Sequence, residues 1–380
     1  MGFDVHVLGT ASARPTAERA VSGSLVKGPE GIVVVDAGEG FQSRFTDQRR
    51  RLKAHSKGDA LKPTNVRVLA FTHGHLDHTW GALPWLQSMD LENRQTPLLV
   101  MGPTSMTAIE ALRNGEPFPD EVPPADLARQ FVSWFMLGGA GLTFPIRWVL
   151  GDVHANVWVE LDPRENTVTE LEGMPQPEGW KRTRVTPYPT QHTVPSCGWM
   201  VSHGPSLGTF DRARADELNL STKQRAQLAR GEDIELTNGD TLESAWFRGE
   251  DRPPLSVLIS GDTASCPPKW PAGLNPTLLI HEATFLNEQQ DKAHEHQHST
   301  AVGAVQTAKA VSATYLALTH YSNRIKDVSD VLDEALPVAG ELPVVALNDA
   351  DRLRINDEGL LNHLAWGPAG WKARSIPPIH

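Results

Sequence analysis

The sequence predicts a mixed α/β protein with helices on the outer faces of its sheets. Short β-like runs recur along the chain, each closing on a polar or glycine-containing turn, and some of them lead into helical stretches. The strand-like runs cover 5–10, 31–40, 66–75, 97–103, 184–192, 198–204, 255–263, 277–284, 315–320 and 344–355. Residues 80–90 read as a helix following one of them. Residues 299–313 are alanine-rich, with Ser299 as the expected N-cap. Residues 328–338 read as a shorter helix that ends at a proline. Two stretches break this rhythm without showing the self-similarity of a repeat. Residues 104–183, rich in Pro, Gly and Trp, read as an elaborated insertion, and the polar, partly helical residues 205–253 as a projecting arm. The chain, 1–380, is otherwise read as one domain. After Ile355 the signals are few.

Composition narrows the function classes. Hydrophobic residues at 39 % and charged residues at 21 % are globular proportions, against a disordered chain. The longest apolar runs are far shorter than a membrane span needs, and the first residues lack a charged leader followed by an apolar core. No membrane association is expected. Only Cys197 and Cys266 occur, which excludes a disulfide framework and makes a cytoplasmic location the expectation. They form no paired motif and read as incidental small residues. With a net charge of −11 the chain is no general polyanion binder, so any nucleic-acid contact requires a local basic patch.

The 15 histidines are clustered, and residues 71–83 are the most informative segment. His73, His75, Asp77 and His78 stand in the pattern His-x-His-x-Asp-His, directly after a strand and before a helix. Imidazoles two residues apart in such a loop can turn toward one centre, while Asp77 and His78 turn toward a second. That suits two metal ions with nitrogen and oxygen ligands, for which zinc is the usual occupant. A single histidine there would read as a surface turn residue; three with an aspartate after a buried strand favour metal.

This pattern resembles the metallo-β-lactamase fold superfamily and, within it, the ribonuclease Z family, endonucleases that remove the 3′ trailer from precursor tRNA. The residues carrying the match are VLGTASARPT near the start, VVVDAGEGFQ (33–42), FTHGHLDHTWGAL (71–83), PTQHTVPSCGW (189–199), SGDT (260–263), LIHEATF (279–285), HQHST (296–300) and LTHYSNR (318–324). They span about 1–103 and 184–355. HEAT followed by a histidine before Ser-Thr is the more specific part. The resemblance implies an α/β (α+β) αββα sandwich of two mixed β-sheets with outer helices and a protruding arm. It implies that His73, His75 and His192 hold one ion, that Asp77, His78 and His320 hold the other, and that Asp262 bridges them. Asp36 buttresses the histidine loop. Two Zn2+ per subunit are implied, with Mn2+ as a substitute. The family works as a homodimer whose arm grips tRNA, and residues 205–253 occupy the arm's position. Two departures stand out. Residues 104–183 are longer than in short members, and Leu220-Ser221-Thr222-Lys223 replaces the Gly-Pro step common in the arm.

The chemistry follows from these groups. Two zinc ions can share a hydroxide, because a bound metal lowers the pKa of water to about 7. Asp77 is placed to orient it as ligand and base. His298 is the candidate proton donor to the departing alkoxide, with Glu282 holding its other ring nitrogen. Ser322 and the helix starting near Ser299 are weaker candidates for binding the substrate phosphate. The expected substrate is precursor tRNA. Two other readings stay open: a phosphodiesterase acting on a small ester such as a cyclic nucleotide, and a metal-stabilised scaffold without catalysis. The first is favoured by the near-neutral arm, with Arg212, Arg214, Lys223, Arg225 and Arg230 set against six carboxylates between 211 and 235.

Overall fold

A computed structural model describes residues 2–205, 207–236 and 239–376. Among these, strands run in two large sheets packed face to face. The first has Phe3–Gly9, Gly23–Gly28, Gly31–Ala37, Val66–Ala70 and Leu98–Pro103 side by side, with further strands extending it at both ends to eleven. The second has six strands, among them Thr183–Pro189, Cys197–His203, Leu255–Ile259, Leu278–Glu282 and Tyr315–Thr319. Both contain parallel and antiparallel pairs.

Strand alternation explains why the sheets are sandwiched. In Gly31–Ala37, Val33 and Val35 face the core between the sheets, whereas Ile32 and Val34 face a core under helices. In the second sheet Val257, Ile259, Leu278 and Ile280 face inward, while Leu258 and Leu279 meet the other helical layer. A strand buried on both faces reads as a continuous β-branched run, which is why VVV and LLI stretches recur. The helices Phe41–His55, Ala82–Leu91, Met106–Asn114 and Leu127–Met136 cover the first sheet, and Ala301–Ala310 and Ser329–Ala339 cover the second. The architecture is the αββα sandwich expected from the sequence.

Several local expectations change. Phe41–His55 is a helix that the sequence reading did not include; it buries only Phe41, Phe45, Gln48 and Leu52, and its remaining surface is polar. The helix after the histidine loop is Ala82–Leu91, preceded by the single turn Leu76–Thr79. The helix expected to be capped by Ser299 is capped by Thr300, whose side chain accepts from the Gly303 amide. Pro337 lies inside Ser329–Ala339 rather than ending it. The run 344–355 is two strands, Val344–Ala346 in the second sheet and Arg352–Ile355 in the first. The tail folds as the hairpin Leu361–Gly367 and Gly370–Arg374 at the edge of the first sheet. Residues 104–183 supply two helices and the strands Ile146–Asp152, Val157–Asp162 and Thr167–Leu171, which lengthen that sheet at its other end. Within 205–253 a separate small cluster forms around Ala215, Leu220, Leu228, Ile234 and Phe247.

Trp199 ties the sheets together beside the histidine loop. It is fully buried in the second sheet, and its indole Nε1–H donates to the Phe71 carbonyl at 2.8 Å. Replacing it removes a large apolar volume and leaves that carbonyl unpaired. Trp199→Ala is expected to destabilise the fold by about 3–5 kcal/mol, measured by denaturant unfolding; a loss below about 1 kcal/mol would contradict this account.

Candidate metal centre

Strand direction gathers the site. Thr183–Pro189, Leu255–Ile259, Leu278–Glu282 and Tyr315–Thr319 all run the same way, so His192, Asp262, Glu282 and His320 emerge at one edge of the second sheet. The loop after Val66–Ala70 brings His73, His75, Asp77 and His78 to meet them from the first sheet. Loop glycines permit close backbone approach. A Cβ on Gly74 would stand 1.8 Å from the Ala125 carbonyl oxygen, and Gly261 has φ +62° with Thr72 against it. Asp36 and His320 also adopt φ of 61°, an uncommon conformation for residues with side chains.

The ligand atoms fall into groups. His73, His75, His192 and Asp262 form one and Asp77, His78 and His320 another, each with its candidate atoms within 4.8 Å of one another. In the first, His75 Nδ1 lies 3.0 Å from His73 Nε2 and 3.2 Å from His192 Nε2. In the second, His78 Nε2 lies 3.1 Å from His320 Nε2, which is 3.5 Å from Asp77 Oδ2. Asp262 stands between them: Oδ2 faces His73 at 3.7 Å and His192 at 4.0 Å, while Oδ1 faces His78 and His320 at 3.3 Å each. Tetrahedral bonds of about 2.0–2.1 Å place ligand atoms about 3.4 Å apart, close to these separations. Asp262 Oδ1 is buried and has no hydrogen-bond partner, as a metal-ligating oxygen would be in a structure without ions. The donor set and its spacing fit a dinuclear metal site.

Outward contacts fix the rings. Asp36 accepts from the Thr72 amide (2.8 Å), the Thr72 hydroxyl (2.8 Å) and His78 Nδ1 (2.7 Å), turning His78 Nε2 inward. His192 Nδ1 donates to the Gln297 carbonyl at 3.2 Å. Two threonines act alike. The Thr72 hydroxyl proton goes to Asp36, leaving its oxygen to accept from His73 Nδ1 at 3.1 Å. The Thr284 hydroxyl proton goes to Glu282 Oε2 at 2.5 Å, leaving its oxygen to accept from His320 Nδ1 at 3.0 Å. Each relay places the proton on Nδ1 and the lone pair of Nε2 toward the centre. Thr72 and Thr284 lie within the motifs FTHGHLDHTWGAL and LIHEATF, yet nothing in their sequence context signals these roles.

Electrostatics favours cations here. Burial pushes the pKa values of His73 and His75 down and that of His192 to about 4, keeping these rings neutral at neutral pH. Burial also works against a charged His78, yet Asp262, Asp36 and Asp77 raise it well above the usual histidine range. The carboxylate field that would hold a proton there also attracts a metal ion. Burial opposes ionisation of Asp77 and Asp262, and the surrounding imidazoles reverse this, holding both carboxyls below their ordinary range.

Asp262, His298 and His320 form a third group with candidate atoms within 4.8 Å, but His298 is distinguished by its pairing with Glu282. His298 Nδ1 donates to Glu282 Oε1 at 2.7 Å, and its Nε2 lies 3.9 Å from Asp262 Oδ2. Burial alone would discharge His298; the Glu282 carboxylate instead raises its pKa to about 9. Ser322 lines the opening over the site, where its hydroxyl accepts from the Arg324 amide at 3.3 Å. Ser299 faces inward, fully buried against Ser265 Oγ.

The sequence profile of the metallo-beta-lactamase superfamily matches residues 17–91. Ribonuclease Z of Natronomonas pharaonis is 30 % identical over 325 residues, covering 85 % of this chain and 88 % of the relative. Ribonuclease Z of Myxococcus xanthus is 28 % identical over 330 residues, covering 86 % and 90 %. Among solved structures, the short form of human tRNase Z superposes with a TM-score of 0.53 at 20 % identity, over 93 % of this chain and 99 % of that one. The metallo-beta-lactamase fold protein YhfI from Bacillus subtilis gives 0.54 at 15 %, with the same coverage. These two likenesses establish the fold.

The threonine relay makes a direct prediction. Thr284→Val keeps the shape but removes the hydroxyl, and is expected to weaken metal binding about 10–100-fold in competition with a chelator, with Thr284→Ser restoring it. Equal affinity in the valine and serine variants would refute the relay.

Proposed function

Because the chain belongs to the ribonuclease Z family of metal-dependent hydrolases, we propose that it is a zinc endoribonuclease removing the 3′ trailer from precursor tRNA. The observation that carries this reading is the His298–Glu282 pair beside two candidate ligand groups with Asp262 standing between them. A ligand set alone fits many hydrolytic reactions; an adjacent charged imidazole adds a proton donor for an alkoxide leaving group. Zinc is favoured by the preponderance of imidazole nitrogen among the ligands. We propose His73, His75 and His192 for one ion, Asp77, His78 and His320 for the other, and Asp262 for both.

Divalent ions held there would lower the pKa of water to about 7 and offset charge on the phosphate. Asp77 is fixed by the Ala13 amide, which donates to its Oδ2 at 2.7 Å, so the carboxylate can orient the attacking water and accept its proton. His298 keeps its Nδ1–H on Glu282 and delivers the Nε2 proton to the departing oxygen. Ser322, at the opening, is the candidate phosphate donor.

A homodimer and a cytoplasmic location belong to the same proposal. Both cysteines are free, which suits a reducing compartment, and no helix among the described residues is long and apolar enough to cross a membrane. Within the arm, Arg225 pairs with Asp216, and Arg230 pairs with Glu232 at 3.0 Å; these internal pairings keep a small phosphodiester as the competing substrate.

Zinc-loaded protein incubated with precursor tRNA is expected to yield a product ending at the discriminator base. Chelation should abolish it, and His298→Ala should lower kcat about 10²–10⁴-fold. A much higher rate on a cyclic nucleotide than on precursor tRNA would move the assignment to the small ester, and full activity after exhaustive chelation would end the metal mechanism. The pH dependence has a defined sign. His298 must be protonated to act, and Glu282 raises its pKa, so Glu282→Gln should move the alkaline limb of kcat to lower pH. An unmoved limb would remove His298 as the proton donor.

A further inference from the structure

The cavity over the metal centre, about 370 Å³, is lined by His75, His192 and His298 at its floor and by residues from three distant segments at its rim. Arg14 follows the first strand, Lys292 lies on the helix Gln290–Glu295, and Arg324 follows Tyr315–Thr319. All three are exposed, and among the described residues none of their side chains has an ion pair or side-chain hydrogen bond. None of the described lining residues is acidic. That is a local exception on a chain of net charge −11.

We propose that Arg14, Lys292 and Arg324 form a cradle for the backbone phosphates of single-stranded RNA flanking the scissile bond, and that this cradle supplies most of the ionic attraction for RNA. The inference rests on the endoribonuclease reading and adds where the strand is held. Unpaired cations converging on one concavity in an acidic protein focus the field where a polyanion must enter. The cavity is too small to admit a duplex, and the reacting phosphate must descend to its floor, so the strand there is single. Phe285 lines the same cavity, with its ring centroid 6.0 Å from that of His298, and offers an aromatic surface to a base. Ser322 and Asn323 add polar groups for sugar or phosphate. The arm contrasts with this. Its cations are interleaved with carboxylates, and Arg225 and Arg230 are bound to them.

The test is the salt dependence of RNA binding. Full-length zinc-loaded protein carrying His298→Ala, to suppress turnover, is titrated with fluorescently labelled oligouridine across about 50–200 mM salt. Each phosphate contact on a single strand contributes about −0.7 to the slope of log K against log salt, so adding Arg14→Ala, Lys292→Ala and Arg324→Ala should flatten it by about 2. The exposed arm pair Lys223→Ala and Arg230→Ala should leave it nearly unchanged. Zinc content and thermal unfolding of each variant establish that the centre and fold are intact. With His298 restored, the triple variant should raise KM about tenfold or more with a much smaller change in kcat. An unchanged slope in the triple variant, or an equal flattening in the arm variant, overturns the cradle. Failure of wild type to cleave precursor tRNA overturns the endoribonuclease reading, whereas the slopes judge the cradle separately.

Discussion

One buried carboxylate sets the terms for the rest of the molecule. Asp262 faces the imidazoles of His73, His78, His192, His298 and His320, all within 4.0 Å, and its Oδ1 has no hydrogen-bond partner. Nitrogen and oxygen lone pairs crowded into one desolvated space repel unless a proton or a cation lies between them. Cations at the two ligand groups turn that repulsion into attraction. Until they bind, the geometry must be held by the surrounding structure. The parallel strand ends, the close-packed glycine loops and the two threonine relays supply that stiffness.

The relays also join functions that would otherwise be separate. Glu282 receives the Thr284 hydroxyl, through which it orients His320, and it receives His298 Nδ1 directly. One carboxylate therefore positions both His320, a candidate ligand, and the ring of His298. Asp36 plays the matching part on the other sheet, reaching His78 directly and His73 through Thr72. It does so from a bulged strand end: pairing shifts register between Gly23 and Ser24, opposite Asp36, and its φ is 61°. Local strain at Asp36 and His320 is sustained because several hydrogen bonds converge on each residue.

The chain's chemistry was more legible in its sequence than its helices were. Candidate metal ligands belong to few residue types and sit at strand ends, so His73, His75, Asp77 and His78 announce themselves together, and His192, Asp262 and His320 follow at the ends of recognisable strands. Thr72 and Thr284 gave no such signal. Threonine has many uses, and the partner that defines Thr284 lies 36 residues away. The helix Phe41–His55 was obscured because its apolar stripe is narrow, though Phe41, Phe45, Gln48 and Leu52 keep helical spacing. The run 344–355 looks continuous in sequence. Asn348, Asp349 and Asp351 form the polar turn that carries the chain between sheets, with the Asn348 amide bonded to Asp351 Oδ2 at 3.0 Å.

Electrostatics then acts on two scales that need opposite arrangements. Over the whole surface, excess carboxylate repels polyanions and disfavours indiscriminate binding. Within the cavity over the ligand groups, the rim carries Arg14, Lys292 and Arg324, whose side chains have no ion pair among the described residues. At the floor the sign alternates over a few ångströms, from the Asp77 and Asp262 carboxylates to a His298 ring whose charge Glu282 sustains. A substrate that is anionic, narrow and able to release an oxygen as an alkoxide meets all three conditions in sequence. A neutral ester could reach the floor, but the cations at the rim would offer it no attraction. A broad duplex could meet the rim, but its phosphodiester would not reach Asp77. Recognition and chemistry are thus coupled by depth.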